Sequence, residues 1–265
     1  MRSRFMIFLV NALVVLAGCA AVAQPPHPPG TPASAAPSVT APAPSLSQGD
    51  YLDPASLDLY RLLPPPPEAG SAQERTELDE LLRLQKTRTP AEVRAAQADA
   101  TLSIYRFADA LGNPPAFTPR QLPLTTELFR RVIRAESLFM GTAKDAFARP
   151  RPFRTETRLT PVVPMPASAS YPSGHSTWAI ASAIVLADMV PERRREIFAR
   201  ADDYAHNREV GGVHYPSDVA AGHLAGTALA QQLFNSARFD ADEAAAAAEL
   251  RRALGLPPRR RSTLH

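Results

Sequence analysis

The sequence predicts an all-α protein with a single helical-bundle domain. Helix-capping signatures recur along the chain, apolar residues fall at helical rather than alternating spacing, and small residues line one late segment where helices could approach closely. From residue 50 to 239 about 190 residues are available, enough for one domain with a substantial core. No internal repeat is present.

The chain opens with Arg2 and Arg4, an apolar run from Phe5 to Leu16 and then small residues, the pattern of an export signal. Leu16-Ala17-Gly18-Cys19 has the form of a bacterial lipobox, which makes residues 1–19 a signal peptide and Cys19 the acylated first residue of a periplasmic lipoprotein. Cleavage after Ala21-Val22-Ala23 is the competing reading; it would give a signal over 1–23 and a free periplasmic protein. Cys19 is the sole cysteine, so no disulfide forms within one mature chain. Residues 20–49 are dominated by Pro, Ala and Ser and read as a linker, because they bury too little apolar surface to offset the entropy of ordering.

Ser71-Ala72-Gln73-Glu74 and Thr89-Pro90-Ala91-Glu92 have capping-box form and predict helices over 72–88 and 90–111. Leu128, Val132, Ala135 and Phe139 predict a third helix over 124–147. Ser173 is a natural N-cap for a helix reaching Met189. A further helix starts near Pro191 and stops at Gly211-Gly212, bringing Arg208 inward at its end. The last core helix spans 218–234 and carries Ala221, Gly222, Ala225 and Gly226. Residues 240–265 are expected to be a basic tail, partly helical, outside a catalytic domain of residues 50–239. Hydrophobic residues make up 45% of the chain and the formal net charge is +3, too weak a bias to argue for a nucleic-acid partner.

Three segments carry chemistry: Lys144 to Pro152, Pro172 to His175, and Arg208 to Asp218. Lys144, Arg151 and Arg208 supply cations, Ser173 and Gly174 a hydroxyl and N–H donors, and His175 and His214 groups that titrate near neutrality. Asp218, four residues beyond His214, is spaced to hold that imidazole in one tautomer. A transferring phosphoryl group spreads negative charge over its oxygens, so catalysis is mostly positioning and electrostatics, which this set supplies. Taken singly, Ser173 reads as a helix cap, Lys144 as a solvated lysine, and His214 with Asp218 as a structural pair or half a metal site; the conjunction of spacings in order favours a phosphate site. His206 and His223 match no motif position, and Arg149 reads as a basic neighbour that widens the positive field.

The spacing Lys-x6-Arg-Pro, Pro-Ser-Gly-His, Arg-x5-His-x3-Asp resembles the three-part signature of the type 2 phosphatidic acid phosphatase (PAP2) superfamily, and Arg151-Pro152-Phe153, Ser170 to His175 and the Leu62 to Pro67 run resemble its bacterial class A non-specific acid phosphatases. The family usually has Ser where Asn207 stands. The resemblance implies a bundle of the PAP2 and vanadium haloperoxidase type and a metal-independent phosphoric monoester hydrolase of broad specificity that needs no cofactor. It further implies His214 as the nucleophile that becomes phosphohistidine, His175 as the acid, and Lys144, Arg151, Ser173, Gly174 and Arg208 as phosphate ligands. The expected partners are small phosphomonoesters, with membrane contact only through a lipid on Cys19; a homo-oligomer is compatible with the sequence. A lipid phosphatase is disfavoured because, apart from the leader, no run of about 20 apolar residues occurs. A vanadium-dependent haloperoxidase-like enzyme and a non-catalytic phosphate-binding envelope lipoprotein compete with the phosphatase reading.

Overall fold

A computed structural model of the chain describes residues 49–259. The signal and linker expected over 1–49, with Cys19, fall almost wholly outside these residues, as do residues 260–265. Among the described residues the regular elements are all helical: α1 (Leu59–Leu62), α2 (Ala72–Thr87), α3 (Pro90–Ala98), α4 (Pro123–Phe147), α5 (Pro152–Thr155), α6 (Gly174–Met189), α7 (Arg194–Val210), α8 (Pro216–Phe234) and α9 (Ala237–Ala253).

The expected caps form. Ser71 accepts the Glu74 N–H at the start of α2, and Thr89 and Glu92 make a reciprocal capping box at α3 with Pro90 in the first turn. α3 nevertheless ends at Ala98 rather than continuing to 111. Asp99 is fully buried, and its carboxylate accepts from Arg106, Arg200 and Asn207, a local charge cluster that a continuing helix would break. The chain turns there and continues through 3-10 turns at Ile104–Phe107 and Asp109–Leu111. The turn aims the carbonyls of Ala100 and Thr101 back at the bundle, where they accept from His175 and Tyr204.

α6 is buried on nearly all sides and packs against α4, α7, α8 and α9. α8 approaches it without intervening side chains: a Cβ on Gly222 would stand 2.7 Å from the Ser173 carbonyl, and one on Gly226 2.5 Å from that of Thr177. This contact fixes the start of α8 against the start of α6.

The segment beyond 239 is not a separate tail. Phe239, Ala246, Ala247 and Leu250 of α9 lie in the main core. α9 also completes α4. Leu122 gives α4 no side-chain cap, and Glu249 of α9 accepts from the N–H groups of Leu124 and Thr125 at 3.0 and 2.8 Å and from the Thr125 hydroxyl at 2.8 Å. A carboxylate at a helix N-terminus satisfies open donors and complements the dipole.

Candidate active site

The loop from Val210 to Pro216 sets the direction of His214. Val213 and Tyr215 are fully buried in two small apolar clusters with Leu84 and Ala96 and with Leu81 and Leu159, so the intervening His214 must point the other way. Its Nδ1 lies 3.1 Å from Asp218 Oδ2, and its Nε2 2.9 Å from Arg151 Nη1. A guanidinium can only donate, so Nε2 carries the lone pair and Nδ1 the proton given to Asp218. Burial first, then the charges of Arg151, Lys144, Arg208 and His175, push the His214 pKa well below its ordinary value. It is a neutral imidazole with its lone pair turned toward cations.

Asp218 is locked in turn. Its Oδ2 accepts from the Tyr215 N–H at 2.9 Å and from the Ser170 hydroxyl, and its Oδ1 accepts from Arg149 at 2.7 Å. Arg149 also donates to Ser217 Oγ at 2.7 Å and to Glu77 at 2.9 Å, and its guanidinium lies 3.7 Å from the Tyr215 ring centre. This corrects the sequence reading of Arg149: its charge is spent on Glu77 and Asp218 rather than on widening a positive field.

The cations are placed differently from one another. Lys144, near the end of α4, is buried and donates to the carbonyls of Ala169, Ser170 and Pro172 at 2.8, 3.3 and 2.7 Å, pinning the loop before α6. Burial, with Arg151 beside it, pushes its pKa down to about 7. Arg151 donates to the carbonyls of Ser168, Ala169 and Val213 as well as to His214. Arg208, 2% exposed, has its Nε and Nη1 without any hydrogen-bond partner. Burial lowers both guanidinium pKa values to about 10, so both stay charged at neutral pH.

At the start of α6, Ser173 accepts from the Ser176 N–H and hydroxyl, leaving the N–H groups of Gly174 and His175 facing out of the helix end. His175 Nε2 lies 3.0 Å from the Ala100 carbonyl, which fixes the proton on Nε2 and leaves the lone pair on Nδ1. Burial, followed by the charges of Arg208, Arg151 and Lys144, pushes its pKa down to about 3. Asn207 turns its amide to Asp99 at 2.7 Å, so the residue standing where the family has Ser braces the end of α3.

Residues 131–240 match the PAP2 superfamily. The non-specific acid phosphatase of Providencia stuartii is 29% identical over 199 residues, spanning 69% of this chain and 77% of that protein. The non-specific acid phosphatase of Salmonella typhi is 25% identical over 239 residues, 85% of this chain and 84% of that one. The chain carries a PAP2 superfamily domain over residues 131–240. The crystal structure of a bacterial vanadium-dependent iodoperoxidase superposes with a TM-score of 0.53 at 17% identity, covering 67% of this chain and 53% of that one, a likeness of fold.

The bundle brings the eight residues expected at the phosphate site around the starts of α6 and α8, with Arg208 entering from the end of α7, while Cys19 lies outside the described residues. The sequence reading missed Glu77, Ser170 and Ser217, which hold Arg149 and Asp218; Glu77 lies 72 residues from Arg149, and no local pattern signals that pairing. It also missed Glu136, which shares a helix face with Met140 and Lys144. Among the described residues, no group of three or more His, Cys, Asp or Glu side chains could hold a metal ion.

Proposed function

We propose that this protein is an acid phosphatase that hydrolyses phosphate monoesters of broad type through a phosphohistidine on His214, without a metal ion. The observation that carries the reading is the buried Arg208 guanidinium with two open donors, set in the same electrostatic neighbourhood as the neutral, Asp218-oriented His214. An unpaired buried charge of this kind costs stability unless an anion completes it.

A bound phosphoryl group takes the Arg151 N–H away from Nε2 and onto a phosphate oxygen, freeing the lone pair. His214 Nε2 then forms a bond to phosphorus as the ester P–O bond breaks, and the leaving oxygen takes a proton from His175. Water next attacks phosphorus, giving its proton to His175 as the P–N bond breaks, and inorganic phosphate leaves. His175 is neutral in the free protein. The negative charge of the bound ester opposes the cations that depress its pKa and favours its protonated form. Arg151, Arg208, Lys144 and the N–H groups of Gly174 and His175 supply the positive field a metal ion would otherwise provide.

Purified protein assayed against a panel of phosphomonoesters is expected to be active, to keep its activity in EDTA and to lose it to vanadate. Rapid quench with labelled ester is expected to place the label on His214. Chelator-sensitive activity restored by a divalent cation, or label on another residue, would overturn the reading. A peroxide and halide assay with vanadate separates the haloperoxidase reading.

Export, with Cys19 acylated and the Pro/Ala/Ser segment as a tether, is likewise our proposal. Among the described residues no helix is long and apolar enough to cross a membrane. Mass spectrometry of the mature N-terminus tests it, and a chain beginning at Gln24 would sink the anchor on Cys19 while leaving export in place.

A further inference from the structure

A carboxylate has no evident place beside an anion site, yet Glu136 of α4 stands there. It is 7% exposed, and a Cβ on Gly174 would lie 2.7 Å from its Oε1 and 3.6 Å from Met140 Cγ. The carboxyl therefore covers the residue whose N–H opens α6, next to Ser173 and His175. Its sole hydrogen bond among the described residues is a long one, 3.4 Å from the Ser137 hydroxyl to Oε2, and Oε1 has none. No cation is paired with it. Lys144, two turns along the same helix, acts on it through space but gives its protons to three carbonyls. From α6 it meets Gly174, with His175 the next residue. Of the other helices packed on α4, α9 brings Asp242, which is bound to Tyr51 and Arg131, and Glu249, held at the first turn of α4; α1 brings the exposed Arg61.

An ionised carboxylate here would repel a phosphoryl group, whereas a protonated one has an O–H to give it. We propose that Glu136 serves as a neutral acid, donating its proton in a hydrogen bond to a phosphoryl oxygen at the Gly174 end of the pocket, so that this protein binds its anion together with one proton. The inference rests on the phosphate-site reading above. Burial, only partly opposed by Lys144, raises the carboxyl to about 7, so the proton is present in acid and lost above neutrality. Phosphate binding thus weakens as pH rises through that range, an acid preference built into the binding step and separate from the two histidines.

The test is calorimetric titration of the full-length protein with inorganic phosphate from about pH 5 to about pH 8, repeated in buffers of different ionisation enthalpy to count protons. The second ionisation of phosphate itself is common to every variant, so differences between variants belong to the protein. Above neutrality wild type is expected to take up about one proton more than Glu136→Gln, and to lose affinity up to about tenfold per pH unit more steeply. Glu136→Gln, a neutral donor of the same shape, keeps binding at alkaline pH. Glu136→Leu, with no donor, binds weakly throughout. Parallel curves for wild type and Glu136→Gln overturn the role of Glu136 while leaving the phosphate site standing. No phosphate binding by wild type at any pH removes the site and this inference with it.

Discussion

Two halves of the pocket are built on opposite plans. On the α8 side the polar side chains are paired inside the protein, Arg149 Nε excepted: His214 on Asp218, Asp218 on Ser170, Tyr215 and Arg149, Arg149 on Glu77 and Ser217. On the side where α6, α7 and α4 meet, groups lack partners: the buried Nε and Nη1 of Arg208, Oε1 of Glu136, and the leading N–H groups of α6. Buried polar groups are costly to leave unmet, so the paired half is the part that must not move and the unpaired half is the part that receives charge from outside. One half holds His214 in place; the other half leaves donors open to an anion.

Removing the proposed nucleophile breaks the comparison most sharply. His214→Ala is expected to lower kcat by about ten-thousand-fold or more while leaving phosphate binding largely intact, measured by ester turnover and by calorimetry. If turnover falls only a few-fold, the paired half is scaffolding alone.

The two arginines provide the most direct contrast, because the same substitution should act in opposite directions on stability. Arg149→Met strands Glu77 and Asp218 and is expected to destabilise the fold by about 3–5 kcal/mol in denaturant titration. Arg208→Met removes a buried charge with open donors and is expected to raise the stability of the free protein by about 1–3 kcal/mol. The same variant should lose about a hundredfold to a thousandfold in kcat/KM. Equal destabilisation by both would erase the distinction between the halves.

The pH dependence sharpens it further. In the free protein burial and neighbouring cations hold His175 at about 3. A bound anion opposes those cations and raises its pKa, so the protonated acid persists to higher pH in the complex. The basic limb of kcat is therefore expected at higher pH than the His175 limb of kcat/KM, measured with one ester in the Glu136→Gln background, where the carboxyl no longer titrates. Coincident limbs would mean that the anion does not act on His175.

A small effect tests the frame rather than the pocket. Glu249→Gln weakens the cap that α9 places on α4, and α4 carries both Lys144 and Glu136. A loss of about 1 kcal/mol is expected, with turnover changed little. No change in the melting temperature would show that the N–H groups of Leu124 and Thr125 find water equally well.

Local chemistry was legible without coordinates where its cause was local. The caps at Ser71, Thr89 and Ser173 follow from side chains that reach their own helix's first N–H groups, and the His214 to Asp218 link follows from a four-residue spacing across the start of a helix. The all-helical class and the set of residues that converge on the site followed in the same way. What the sequence could not carry was pairing across distance. Asp99 stops α3 because Arg200 arrives from α7; Glu249 caps α4 from the far end of the chain; Arg149 is neutralised by Glu77; and the Glu136 carboxyl is left unpaired over Gly174 by the packing of α4 on α6. In each case the residue type was visible, but its charge acquired a meaning only from the side chains that folding placed within a few ångströms of it. Electrostatic energy depends on that separation and on burial, and neither is written in the order of residues.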